Sequence, residues 1–389
     1  MSRPSLLDRI PTPVKALLVA LTLYAFLVGI GSMSTAFKAM GKGFVQDTLL
    51  GMGSSSPIVA LFIGILATTL VQSSSTTTSL VVGLVAAGAL DFHSAIYMVM
   101  GANVGTTVTN TVVSLGHITQ TSEYRRAFAA ATVHDFFNLI VLAVLFPIEV
   151  YTGVLDDASL WCANAFEGVG GTKLANPIKA ITKPTINALK DVCESITAEH
   201  LGPLLLTIAV LLTFGALIGL VKILKSIMVS KLENLFDRVL FKSPYRGLVF
   251  GIFLTILVQS SSITTSGAIP LVGAGVLSIR QVFPYTMGAN IGTTITALLA
   301  SLAAMAAAGE DGRVAAALGL QLAFHHVLFN VLGVALLWPV RNFPIWIAEQ
   351  FARLAQWNRL IPLVYIIVVF YLMPAGIVWL GRGTPTETP

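Results

Sequence analysis

Two apolar stretches of this 389-residue chain are interrupted at their centres by the same polar run, Gln72-Ser73-Ser74-Ser75 and Gln259-Ser260-Ser261-Ser262, at an offset of 187 positions (259 − 72). The same offset (290 − 103) carries Gly101-Ala102-Asn103-x-Gly105-Thr106-Thr107-x-Thr109 onto Gly288-Ala289-Asn290-x-Gly292-Thr293-Thr294-x-Thr296. After a short insertion a third echo follows at an offset of 192 (326 − 134), where His134-x-x-Phe137-Asn138 returns as His326-x-x-Phe329-Asn330. The chain is therefore an internal duplication. Each half places uncharged polar clusters inside apolar surroundings, and few folds accommodate that.

With 55% hydrophobic and 11% charged residues, and a mean hydropathy of +0.84, the chain has too little polar surface for a soluble globule. We expect an all-α polytopic membrane protein. A spanning helix needs about 20 apolar residues, and seven segments qualify: 14–30, 94–115, 127–147, 201–221, 281–308, 314–339 and 360–380. The first lacks a small-residue cleavage site and reads as a retained helix. Segments 57–90 and 248–277 are too long for one comfortable span and carry their polar run in the middle. At about 1.5 Å per residue, each arm reaches only part way through a core of roughly 30 Å, so each reads as a re-entrant helical hairpin.

The expected organisation is a first repeat over 14–147, an extracytoplasmic loop over 148–200 and a second repeat over 201–339. An interfacial amphipathic helix follows over 343–358, with Trp346, Glu349, Arg353 and Trp357 around its axis, and then a C-terminal transmembrane helix over 360–380. The linker with Lys222, Lys225, Lys231, Arg238, Lys242 and Arg246 against Glu233 and Asp237 should be cytoplasmic. Residues 149–200 are net acidic and should lie outside. Counting from an inside N-terminus with Arg3, Arg9 and Lys15 reconciles both assignments, makes the repeats inverted in topology and puts the C-terminus outside. The net charge of +5 belongs to short loops, with no domain outside the membrane to bind nucleic acid. Cys162 and Cys193 share the outer segment, and an oxidising compartment would join them in a disulfide.

Breaking a helix in hydrocarbon exposes backbone groups that each cost several kcal/mol if unsatisfied, so such breaks survive beside a polar cavity. A Gln-Ser-Ser-Ser tip would open the start of its second arm toward the midplane, where free N–H groups and the helix dipole favour an anion. Two such tips could enclose a tetrahedral oxyanion between Ser73, Ser74, Ser75 and Ser260, Ser261, Ser262. The competing reading is that these hydroxyls bond back to carbonyls one turn earlier. In the Gly-Ala-Asn motif, local unwinding would give each repeat a broken transmembrane helix and present neutral oxygens suited to sodium around Asn103 and Asn290; the alternative is a close helix crossing made possible by glycine. Asp135 has no counterpart, since Val327 fills its position. A membrane acid is a functional hypothesis by default, here a cation ligand, with a structural pairing to Arg125 or Arg126 as the alternative. His134, His325 and His326 lack a second cluster of metal ligands and read as hydrogen-bonding core residues. Symmetrical serine runs offer no single activated nucleophile, so an enzyme is not expected.

Together with the run 123–138, which holds Ala129, Ala131, His134, Asp135 and Asn138, these motifs resemble the type II sodium-dependent phosphate cotransporters, solute carrier family 34, and their bacterial homologues. The resemblance implies sodium-driven uptake of inorganic phosphate by alternating access, with transport of another oxyanion such as sulfate or a dicarboxylate as the alternative, and no cofactor beyond the co-transported ion. It implies that Ser73–Ser75 and Ser260–Ser262 hold phosphate. Gln259, Ser260, Thr293 and Thr296 would form one sodium site, Asp135 and Asn138 would contribute to another, and Gln72 joins the set as the counterpart of Gln259. The combination Ala129, Ala131 and Asp135 resembles the electrogenic branch. No Asn-x-Ser/Thr sequon occurs in the outer segment, as expected for a protein of a bacterial inner membrane.

Overall fold

The computed structural model describes residues 10–45, 56–119, 121–169, 175–236, 243–308 and 312–381, and among these every regular element is a helix. Arg3, Arg9, Gln120, Lys173, Asp237, Arg238, Lys242 and the last eight residues lie outside the described set. In chain order the first half comprises α1 (Thr12–Val45), α2 (Pro57–Val71), α3 (Ser74–Ala86), α4 (Phe92–Gly105), α5 (Val108–Ser114) and α6 (Thr121–Thr152). Next come α7 (Val154–Gly168) and α8 (Ala175–Ile196). The second half runs α9 (Leu201–Phe236), α10 (Pro244–Val258), α11 (Ser261–Ser266), α12 (Ile269–Gly273), α13 (Ile279–Ala307) and α14 (Arg313–Leu337), followed by α15 (Asn342–Trp357) and α16 (Leu360–Gly381).

Among the described residues six helices are long and apolar enough to cross a membrane, so the chain is a multi-pass membrane protein. The seventh expected span, 94–115, is interrupted by a turn at Thr106 and Thr107, which separates α4 from α5. Its counterpart does not break. Helix α13 runs through Asn290, Gly292, Thr293 and Thr294 without interruption, which corrects the expectation of a broken helix in each repeat. Even at the first copy the two threonines keep right-handed helical angles, φ −64° and −76°. The threonine hydroxyls are accommodated inside the helical path. Thr107 Oγ1 donates to Val104 O at 2.9 Å and Thr294 Oγ1 to Ile291 O at 2.7 Å, a local bond that requires no unwinding.

The described part of segment 148–200, expected as a connecting loop, is mostly helical. Helix α6 continues through Pro147 to Thr152, and α7 and α8 fill most of the remainder. The expected disulfide is absent. Cys162 and Cys193 are free thiols on different helices, and Cys193 is buried among Ala36 and Leu205, where α8 packs on α1 and α9. A small apolar side chain suits that seam, and a thiol fills it as a hydrophobe. Helix α9 extends well beyond residue 221 to Phe236, taking in much of the linker. Within α16 a π-turn at Val368–Leu372 precedes Pro374, which has no N–H for the carbonyl one turn back; widening the turn relieves that clash.

The repeats interlock. The second arm of the first corner, α3, packs against α13 and α14 of the second half, while α11 and α12 of the second corner pack against α5 and α6 of the first. The offsets of the duplication pair Gly273 with Ala86 and Gly319 with Ala127. The contacts follow that exchange: Gly319 faces Ala86, Gly273 faces Ala127, and a methyl added at either glycine would meet the alanine Cβ at 2.7 and 3.3 Å.

Candidate functional site

The two Gln-Ser corners are the same object built twice. Helix α2 ends at Gln72 with φ 58° and ψ 25°, and α10 ends at Gln259 with φ 54° and ψ 26°. These are the only positive-φ residues other than glycine among the described residues. An L-residue enters this left-handed region at an energetic disadvantage of about 1–2 kcal/mol, so local bonds have to hold it. Gln72 N donates to Thr68 O and Gln259 N to Thr255 O, each at 2.7 Å. The side-chain amides also turn back: Gln72 Nε2 donates to Thr69 O and Gln259 Nε2 to Ile256 O, each at 2.6 Å.

The next residue straightens the chain and starts the second arm. Ser73 (φ −154°, ψ 105°) and Ser260 (φ −154°, ψ 108°) are extended, and their hydroxyls cap α3 and α11 by accepting from Thr76 N at 3.2 Å and Ile263 N at 3.4 Å. The first serine of each run thus has a structural task that its sequence neighbours lack. Ser74, Ser75, Ser261 and Ser262 follow in the first turn of the arms, all buried. Some threonines behind them do bond back to carbonyls, as in Thr78 to Ser74 O at 2.8 Å and Thr264 to Ser260 O at 2.9 Å. Ser75 and Ser79, by contrast, carry buried hydroxyls without a partner.

The glutamine oxygens point to the Gly-Ala-Asn helices. Thr109 Oγ1 donates to Gln72 Oε1 and Thr296 Oγ1 to Gln259 Oε1, each at 2.8 Å. Gln259 and Thr296 meet as the resemblance implies, and the bond of Thr109 adds the equivalent contact in the first repeat, where the offset of 187 pairs it with Thr296. Thr293 turns away and donates to Ala289 O within its own helix at 3.0 Å. Thr68 and Thr255, another equivalent pair, bury unpartnered hydroxyl oxygens beside each corner. The glycines of the motif serve packing. A Cβ on Gly64 would lie 2.0 Å from Met98 O and one on Gly101 2.0 Å from Leu61 O, and Gly251 and Gly288 repeat this against Tyr285 O and Leu248 O at 2.0 Å. Close crossing of α2 on α4 and of α10 on α13 is their role, in place of the expected helix weakening.

Between the corners runs a buried chain of hydrogen bonds that crosses from one repeat to the other. Thr265 Oγ1 donates to Asn110 Oδ1 (2.9 Å), and Asn110 Nδ2 donates to His134 Nδ1 (3.1 Å). His134 Nε2 reaches Asn290 Oδ1 (2.7 Å), Asn290 Nδ2 donates to Asn138 Oδ1 (2.7 Å), and Asn138 Nδ2 donates to Asn103 O (2.9 Å). An amide oxygen only accepts, so the chain is satisfied by the Nε2–H tautomer of His134. The equivalent histidine mirrors it, with His326 Nε2 lying 3.4 Å from Asn103 Oδ1. Asn103, Asn138 and Asn290 are therefore brought together. The two serine runs share no hydrogen bond among the described residues.

Asp135 is fully buried on α6 beside this chain. Its Oδ2 accepts from Thr111 Oγ1 at 3.1 Å and from Tyr365 OH of α16 at 3.2 Å, while its Oδ1 has no partner. The arginine pairing does not form, because Arg126 donates from Nε and Nη2 to Gly273 O, at 2.9 and 2.6 Å. A buried carboxylate with one free oxygen and only neutral donors on the other has the chemistry of a cation ligand. Tyr365 and Asn110 carried no sequence signal of their own, although Asn110 marks a break in the duplication, where Ala297 is its counterpart.

The halves that carry these corners are also what known proteins share with the chain. The sequence profile described as Na+/Pi-cotransporter matches residues 25–151 and 211–338, one stretch per repeat. Sodium-dependent phosphate transport protein 2A of Rattus norvegicus is 33% identical over 93% of this chain and 68% of its own length. Sodium-dependent phosphate transport protein 2B of Pongo abelii and that of Homo sapiens are each 31% identical over 90% of this chain, which spans 63% of their length. No solved structure matches. With both repeats covered by the profile and nearly the whole chain aligned to these relatives, this protein belongs to the Na+/Pi-cotransporter family.

Proposed function

We propose that the chain takes up inorganic phosphate across a bacterial inner membrane, driven by sodium, with its N-terminus cytoplasmic and its C-terminus outside. In this reading α2–α3 and α10–α12 are re-entrant hairpins entering from opposite faces as inverted repeats. Ser73, Ser74, Ser75, Ser260, Ser261 and Ser262 offer phosphate their hydroxyls and the unpaired N–H groups of the first turn. Sodium is held by neutral oxygens around Gln72 and Gln259, with Ser260, Thr293, Thr296, Asn103 and Asn290 in the same set, and by Asp135 with Asn138. Thr109 extends the first of these sets by its bond to Gln72.

The observation that supports this best is the pair of left-handed glutamine corners, each pinned by a threonine of the adjoining Gly-Ala-Asn helix at 2.8 Å. Two equal sites with polar hydroxyls and no fixed charge of their own can replace the water shell of an oxyanion and its counter-cations. Asp135 supplies the single negative charge beside them. Occupied by sodium it is neutralised, and an additional positive charge accompanies phosphate inward, which makes the cycle electrogenic. Each net charge moved gains about 2.3 kcal/mol per 100 mV.

The test is sodium-driven uptake of radioactive phosphate into proteoliposomes poised at defined potentials, with wild type and Asp135→Gly in parallel. Wild-type uptake rises with an inside-negative potential, whereas the variant loses that dependence while keeping some sodium-coupled uptake. Equal voltage dependence in the two proteins would refute the role given to Asp135. Uptake indifferent to sodium would refute the reading as a whole.

A further inference from the structure

A polar recess lies between the start of α6, the end of the second corner's returning arm at Val272 and Leu277, the start of α13 and the face of α15. This cleft of about 330 Å³ is lined by Arg125, Arg126, Arg353, Glu349, Ser278 and Ile279, among others. Arg126 is fixed through Nε and Nη2 to Gly273 O, which leaves its remaining amino group for the cleft. Arg125 makes no hydrogen bond or ion pair among the described residues, and Arg353 reaches only Gln350 Oε1, at 3.4 Å. Glu349 does not neutralise them, since it forms no ion pair with any of the three. Three guanidinium groups thus face one uncoupled carboxylate. The N-terminus of α13, a 29-residue helix, opens into the same space and adds its positive dipole end.

The depth of the cleft limits what it can meet. Three apolar spans begin beside it, at Ser122, Ile279 and Leu360, and α15 leads directly into the last of them. Phe343, Trp346, Leu354 and Trp357 of α15 are exposed on the same element that supplies Arg353. Aromatic and apolar side chains beside arginines at the level where spans start describe the headgroup layer of a bilayer. Guanidinium groups match the oxygens of a phosphate in pairs, and basic recesses between membrane helices take anionic headgroups.

We propose that this cleft is a second phosphate-group site, distinct from the Gln-Ser corners, that takes the phosphate of an anionic lipid headgroup or inorganic phosphate from the adjoining water. Its ligand chemistry follows from the arginines and holds whether or not the corners transport phosphate.

The experiment is thermal unfolding of the detergent-purified full chain in sodium-free buffer. Phosphatidylglycerol, phosphatidylcholine and inorganic phosphate are titrated separately onto wild type and Arg125→Gln/Arg353→Gln. Both arginines are exposed, so the double variant should unfold at the wild-type midpoint before ligand is added. With phosphatidylglycerol, wild type is half-saturated at a concentration at least tenfold below that for phosphatidylcholine, and the variant loses that advantage. If inorganic phosphate alone gives the arginine-dependent shift, the source is the solution anion. Glu349→Gln removes the one carboxylate and should move half-saturation the other way, toward tighter binding, which also covers the case of a misfolded double variant. Titrations of both anionic probes that are unaltered by any of these substitutions would overturn the site.

Discussion

At Gly101 a single added methyl group would stand 2.0 Å from Leu61 O and 3.0 Å from Ile65 N, both backbone atoms of α2 that cannot swing aside. Gly101→Ala must therefore force α4 off α2, and overpacking of this kind typically destabilises by about 1–3 kcal/mol. Gly116→Ala, where nothing lies within 4 Å of the new atom, is the control and should change stability by less than about 0.5 kcal/mol. Thermal unfolding of the two variants separates them, and equal midpoints would mean that the close crossing is not what these glycines secure. The same residues show where reading a sequence stops. A glycine pair beside an amide and three hydroxyls is compatible with unwinding or with a tight crossing. Only the position of Leu61 O, more than 35 residues away in the chain, decides between them. Gln72 and Gln259 are the reverse case, because a polar run centred in an over-long apolar segment already requires a corner there.

Helix α7 starts where Gly153, at φ 63°, turns the chain after α6, and its first N–H groups are satisfied from outside the helix. Glu149 Oε2 accepts from Leu155 N at 2.8 Å and Oε1 from Asp156 N at 3.1 Å, with His325 Nε2 3.5 Å from Oε1. Hydrogen bonds to a charged acceptor contribute about 1.5–3 kcal/mol. Glu149→Ala should therefore speed amide exchange at Leu155 and Asp156 by about tenfold or more, since about 1.4 kcal/mol is tenfold in an equilibrium. Mass-resolved hydrogen exchange checks this, and unchanged protection over 154–157 would show that the carboxylate does not hold the helix. The spanning helices were legible because twenty apolar residues leave little choice. Helices α7 and α8 were not, because their apolar residues occupy one side only and form no continuous apolar run. Ile186 of α8 packs against Gly31 of α1, and Tyr24 OH lies 2.5 Å from Thr185 Oγ1, contacts that make 148–200 a packed element instead of a loop.

Across the whole molecule the two copies hold each other, since the second arm of each corner is packed by the other half and His134 and Asn290 join the halves through buried polar groups. The duplication was legible in full, and so was the partnership of Gln259 with Thr296. The crossing of the two halves was not, because a repeat is equally compatible with two copies that stand side by side. Sequence symmetry also conceals an inequality. Gln72 is exposed, whereas its equivalent Gln259 is 9% exposed, although both make the same bonds at the same distances. The proposed alternating-access cycle opens the two corners to water on opposite faces in turn, so labelling from water should favour first one corner and then the other. In a Cys162→Ser/Cys193→Ser background, Gln72→Cys should react with a membrane-impermeant maleimide from one side at least tenfold faster than Gln259→Cys reacts from either. Conditions that load the opposite state should make Gln259→Cys the faster of the two, from the opposite side. If both positions label from the same face under every condition, the corners share one vestibule and the halves are not exchanging access.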